Sequence, residues 1–131
     1  MPTITKFEDL EIWQLARKLA KDVFDLTQTF RTEFRLVDQM KASSRRMMEN
    51  IAEGFDRDSR LEFINFLSIA KGSCGELKSQ LYYCFDCRII QENVFQNFYD
   101  RTEDISARIG AFIKYLNKSV IKGNKFKNRT H

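Results

Sequence analysis

Cys84 and Cys87 form a Cys-x-x-Cys pair, and Cys74 is the remaining thiol in a chain of 131 residues. This spacing serves a structural zinc ion or a dithiol redox centre, but a structural zinc site asks for four Cys or His ligands. No second pair is present, and the one histidine is His131, at the last position. We therefore expect reduced cysteines, with Cys74 on a buried helix face, no metal and no cofactor. A single imidazole also leaves no Ser/His or Cys/His nucleophile system. There is no glycine-rich phosphate loop. Glu103 and Asp104 are neighbours and diverge on a helix surface, so they make no acid/base pair. The expectation is a protein that is not an enzyme.

The residues with usable chemistry are cations. The formal net charge is +4, yet no acid follows Asp104, whereas Arg108, Lys114, Lys118, Lys122, Lys125, Lys127 and Arg129 all do. Taking those seven from +4 leaves residues 1–104 at −3. A localised basic segment is the electrostatic footprint of a polyanion contact. The competing reading is a charged end that only solvates the chain. Lys41, Arg45 and Arg46 form a second basic turn. There the competing reading is self-neutralisation, because Arg45, Glu49 and Glu53 stand at i, i+4 and i+8.

Helices must position these groups. The hydrophobic content is 43%, with twelve Phe, enough for a core in one domain, while five Gly and one Pro are too few turns for a many-stranded sheet. Phe7, Leu10, Trp13, Ala16, Ala20, Val23 and Phe30 make one stripe of a first helix, over about 6–30. Ile12, Leu15, Leu19 and Leu26 make a second stripe beside it. Two stripes suggest contact with two helices or with another subunit. A second helix is expected over about 32–53, buried through Leu36, Val37, Met40, Met47, Met48, Ile51 and Ala52. The third is the most regular: Phe63, Phe66, Leu67, Ala70, Cys74, Leu77, Leu81, Cys84 and Phe85 keep the helical period. On a neighbouring face Ser68, Gly72, Gly75 and Ser79 align small residues, which predicts close approach by another helix. After a link at 87–90, the fourth helix buries Val94, Phe95, Phe98, Tyr99, Ile105, Ile109, Phe112, Ile113 and Leu116 and runs to about Asn117, with Gly123 as its expected end. The predicted fold is an all-α, antiparallel up-down-up-down four-helix bundle over 1–118, followed by a basic tail at 119–131. With no apolar leader and no run of roughly 18 apolar residues, a cytoplasmic protein without membrane contact is expected.

The corner between the second and third helices is the most informative stretch. Gly54 stands where a left-handed helix cap is usual, and Ser59 with Glu62 makes a capping-box pattern. Asn50 and Glu53 lie in the turn before it. A carboxylate there opposes the helix dipole unless a cation such as Arg57, Arg60 or Lys71 faces it. The expectation is a structural role for Asn50, Glu53, Gly54 and Arg57.

The run Asn50-Ile51-Ala52-Glu53-Gly54-Phe55, with Arg57, Ser59, Glu62-Phe63, Phe66-Leu67, Ile69-Ala70-Lys71-Gly72-Ser73 and Glu76-Leu77, resembles the signature of bacterial four-helix-bundle proteins encoded in intervening sequences of 23S ribosomal RNA genes. The opening Phe7, Leu10, Trp13 pattern and Gln39 fit as well, so that the resemblance covers about residues 7–118. It implies a ring-like homopentamer. The related accessory proteins of diversity-generating retroelements bind nucleic acid and a reverse transcriptase. The chain departs from the pattern at Arg31, where a Pro is usual, at Arg35, where a Gly is usual, and at Arg45-Arg46, where small residues are usual. Together these features predict an oligomer that binds RNA or DNA phosphates through Lys41, Arg45, Arg46, Lys114, Lys118, Lys122, Lys125, Lys127 and Arg129. The alternative is a protein-interaction scaffold with no nucleic-acid role.

Overall fold

A computed structural model describes residues 3–130, with side chains described for residues 3–118. It contains a 3-10 turn, Phe7–Asp9, and four helices: α1 Glu11–Thr27, α2 Phe34–Phe55, α3 Arg60–Asp86 and α4 Glu92–Thr130. Among the described residues there is no strand, and no helix is long and apolar enough to cross a membrane. The fold is all-α, as its hydrophobic period predicts.

α1 is shorter at both ends than the expected 6–30. Leu10 is extended, at φ −74° and ψ 125°, which separates the 3-10 turn from the helix. The turn is held by the Phe7 ring, edge-on to Trp13 at 5.1 Å between centroids. At the other end the Thr27 and Thr29 hydroxyls donate to the carbonyls of Phe24 and Leu26 at 2.8 and 2.7 Å, local bonds that compete with helix continuation.

α2 packs on α1 and α3, α4 packs on α3, and α1 also touches α4; no backbone contact among the described residues joins α1 to α3 or α2 to α4. The double stripe of α1 is thereby used inside one chain, against α2 and α4, and by itself says nothing of another subunit. Along α3 and α4, Phe63 meets Phe112, Lys71 meets Ser106, Lys78 meets Glu103 and Phe85 meets Phe95. The core they enclose includes Leu19, Val23, Met40, Met47, Ile51, Leu67, Leu77, Leu81 and Ile109, all fully buried. Each follows the 3.6-residue period of its helix. Of the core residues expected on α3, Phe66 is half-buried, and Phe85 is exposed and stacks on Phe95.

Two expectations about glycine are overturned, and a third is not met within one chain. Gly54 is not a left-handed cap: no described glycine has positive φ, and α2 runs through it to Phe55. Its role is steric. A Cβ there would sit 2.6 Å from the Cβ of Phe66 and 3.0 Å from Cδ1 of Phe63, so only glycine lets α2 and α3 close to this separation. Gly72 and Gly75, read as a site of close approach, have nothing within 4 Å of a Cβ and lie on the open side of α3. Gly123 does not end the fourth helix, which continues past Asn117 to Thr130.

Positive φ occurs instead at Glu33, φ 68°, and Arg88, φ 60°. Arg88 closes α3 in a Schellman arrangement. The Arg88 amide donates to the Phe85 carbonyl at 3.1 Å, and the Ile89 amide to the Cys84 carbonyl at 2.8 Å. The cap that glycine was expected to make at the end of α2 is made by an arginine at the end of α3.

Candidate nucleic-acid interface

The cations of α2 divide between two faces. Lys41 and Arg45 point toward α1, whereas Arg46 turns the other way and meets Glu76 of α3 at 3.4 Å. Arg45 pairs with Glu49 at 3.1 Å, as its spacing predicts, but Glu53 does not extend that chain because it pairs with Arg57, also at 3.1 Å. Lys41 has a different partner: its ammonium lies over the Phe24 ring, 5.2 Å from the centroid. Opposite Lys41 and Arg45, α1 presents Arg17 and Lys21. These four cations, with Ala20, Phe24, Ser44 and Met48, line one open groove of about 370 Å³ between α1 and α2. A second hollow continues along α1 past Trp13, Gln14 and Lys18.

The groove holds more positive charge than it neutralises. Lys21 bonds Asp25 at 2.5 Å, and this hydrogen bond and charge raise its pKa above the ordinary lysine value. Arg17 and Lys41 make no ion pair with a carboxylate among the described residues; each lies over an aromatic ring, Arg17 over Trp13 at 5.5 Å. Cations held this way keep their charge available to a ligand, since a ring face satisfies them only in part. Phe24 is 48% exposed, which leaves an apolar platform among them. Arg17, Lys18 and Lys21 were not anticipated. Their i, i+1, i+4 spacing is visible in the sequence, but the sequence does not show which face of α2 they meet.

Lys114 and Lys118 are exposed on α4 and do not line this groove, so the structure gives two basic regions. Lys122, Lys125, Lys127 and Arg129 lie outside the residues whose side chains are described.

The corner after α2 spans Asp56–Ser59, four residues. Ser59 caps α3 by accepting the Glu62 amide at 3.2 Å. The Arg57 guanidinium stands between Glu53 at 3.1 Å and Glu62 at 3.8 Å and covers the Phe66 ring at 5.2 Å. It thus supplies the cation that a carboxylate at a helix C-terminus needs. Asn50 does not reach across the corner, because its side-chain amide donates to the Arg46 carbonyl in its own helix at 2.8 Å. Gly54, Arg57 and Ser59 thus meet α3 residues at this corner, whereas Asn50 does not.

The cysteines differ in exposure. Cys84 is buried with its thiol 3.6 Å from the Met40 sulfur, while Cys87 is exposed. Burial pushes the Cys74 thiol up to about 12 and the Cys84 thiol up to about 11. No group of three or more Cys, His, Asp or Glu among the described residues could hold a metal.

No curated protein matches the chain. A solved structure that does resemble it is a protein with unknown function from the S23 ribosomal protein family of Bacteroides thetaiotaomicron VPI-5482, with a TM-score of 0.74 at 21% identity, over 79% of this chain and 98% of that one. At that identity the likeness shows a shared fold. The family profile for the 23S rRNA-intervening sequence protein matches residues 8–111, from the 3-10 turn to about the middle of α4. The chain belongs to the 23S rRNA-intervening sequence protein family.

Proposed function

We propose that this chain is a non-enzymatic nucleic-acid-binding protein, an antiparallel up-down-up-down bundle that assembles into a ring-like homo-oligomer in the cytoplasm. The observation that carries the binding role is the α1–α2 groove, where Arg17 and Lys41 lack carboxylate partners among the described residues, beside Lys21 and Arg45. Cations at this density attract phosphates and release their counterions, so that contact is to the backbone and strongly salt-dependent. The basic stripe that begins at Lys114 and Lys118 adds a second contact region, with Lys122, Lys125, Lys127 and Arg129 further along the chain. Repetition around a ring multiplies a weak contact into a useful one. Self-association is favoured by the outer face of α3, where Leu61 (64% exposed) and Ile69 (46%) flank Ser68, Gly72 and Gly75. A helix meeting this face finds no Cβ at either glycine.

The test is fluorescence anisotropy of a labelled structured RNA and a single-stranded DNA at several salt concentrations. Wild type is compared with Arg17→Gln/Lys41→Gln and with a chain ending at Asn117. The groove variant should weaken binding to both nucleic acids and flatten the salt slope by about 0.7–0.9 per lost phosphate contact. Salt-insensitive binding, or equal binding by all three proteins, would refute the groove. The exposed α3 face also supports a second reading, a protein-docking scaffold. Absence of binding to either nucleic acid at low salt, together with capture of one defined protein that survives nuclease treatment, would favour it.

A further inference from the structure

At the other end of α2 from the corner, Glu33, Arg35, Leu36, Gln39, Ser79, Gln80 and Tyr83 line a pocket of about 330 Å³ between the start of α2 and the last turns of α3. Its polar groups are unusually unpaired. The Gln80 carbonyl oxygen is buried without a hydrogen-bond partner among the described residues. α2 begins without a side-chain cap, and its first backbone bond is from Val37 to the Glu33 carbonyl at 2.9 Å. The amides of Phe34, Arg35 and Leu36 therefore have no acceptor within the helix. Glu33 itself is left-handed at φ 68°, where Gly or Asn is the unstrained choice. Tyr83 is 51% exposed and presents a ring at the rim.

We propose that this pocket binds a guanine base, carried by a mononucleotide or by an unstacked residue of a strand. The ligand must combine four properties, one for each feature of the lining. It needs a flat face to stack on the Tyr83 ring, as unstacked bases do on aromatic side chains. It needs adjacent N–H donors for the Glu33 carboxylate, and guanine is the base whose N1–H and N2–H stand side by side. It needs a polar edge to fit beside Gln80, whose side chain lines the wall while its carbonyl oxygen is itself buried. It needs an anionic or acceptor group for Arg35 and the free amides of α2, which phosphate and the guanine O6 both provide. Adenine offers an acceptor where guanine has N1–H and so repels Glu33. The site is distinct from the basic groove, contains neither Arg17 nor Lys41, and does not depend on the function proposed above.

The experiment is a chemical-shift titration of the isotope-labelled full-length protein with GMP, AMP and CMP at physiological salt. GMP should shift the amides of Glu33–Gln39 and Ser79–Tyr83 and bind roughly tenfold more tightly than AMP, as one good bidentate base contact provides. Glu33→Asn, which the left-handed backbone accepts, and Tyr83→Ala, at an exposed position, should each weaken GMP binding without lowering the melting temperature. Arg17→Gln/Lys41→Gln should leave it unchanged, which separates this pocket from the groove. Guanosine and a guanine-containing tetranucleotide distinguish the two sources: a strand ligand requires the tetranucleotide to bind at least as well as GMP, and a free nucleotide the reverse. Equal affinity for the three nucleotides, no shift at millimolar GMP, or shifts confined to the α1–α2 groove would overturn the proposal.

Discussion

Replacing Gly54 by alanine separates the steric reading of this residue from every conformational one. In an ordinary helix interior, Gly→Ala stabilises by about 1 kcal/mol, because the unfolded chain loses freedom and the backbone of Gly54 is already helical. Here the added Cβ meets the Cβ of Phe66 at 2.6 Å and the Phe66 Cγ at 3.3 Å. Carbon atoms at rest lie about 3.5–4.0 Å apart, so the closest pair is short by about 1 Å. Phe66 Cβ is fixed to the α3 backbone and cannot rotate away, so relief requires the two helices to part. Overpacking of this kind costs about 1–3 kcal/mol, and the fixed contact puts it at the upper end. The net expectation is a loss of about 1–2 kcal/mol for Gly54→Ala, against a gain of about 1 kcal/mol for Gly72→Ala, whose Cβ meets nothing. For a chain of this size that is a fall of about 3–10 °C in Tm beside a rise of about 3–5 °C. Thermal melts and urea titrations at low protein concentration measure both. If Gly54→Ala melted as high as Gly72→Ala, the close approach of α2 to α3 would be wrong. A Gly72→Ala loss that grew with protein concentration would instead locate a second copy on that face.

Other substitutions and conditions give opposed signs. Arg88→Gly should stabilise the chain by about 0.5–1 kcal/mol, since glycine takes the left-handed position at no steric cost and the Schellman bonds are backbone bonds; a loss in urea titration would show that the arginine side chain matters. Ser59→Ala should cost about 1 kcal/mol by removing the α3 cap, measured by the same titration. Alkylation of the native protein near pH 8 should label Cys87 alone, with Cys74 and Cys84 reacting only in denaturant, because burial keeps both protonated; mass spectrometry of the digested protein reads the sites. The Cys74 thiol titrates near 9 unfolded and about 12 folded, so its contribution is complete below pH 9 and declines as pH rises toward 12. Urea midpoints should fall over that window, and Cys74→Ala should fall less.

The helices, their order and most of the core were legible from composition and period, because burial of one helix face is a local, repeating demand on side-chain type. Ser59 was legible for the same kind of reason: a cap is satisfied within three residues of its own position, as the bond to the Glu62 amide shows. Gly54 was located correctly and explained wrongly, since the atoms that require it belong to Phe63 and Phe66 on another helix. The glycine rule also missed the end of α3, where backbone bonds hold Arg88 left-handed without the residue that usually marks such a turn. The basic residues of α2 were visible as charges, but their fates were not. Arg46 is taken up by Glu76, Glu53 goes to Arg57, and Lys41 and Arg45 join Arg17 and Lys21 across a groove. Sequence determines which groups a helix carries and which stripe it must bury, because those follow from neighbours three and four positions away. Only the packing of one helix on another decides which charges pair, which glycine is needed and which polar groups share a cavity, because those depend on residues far apart in the chain.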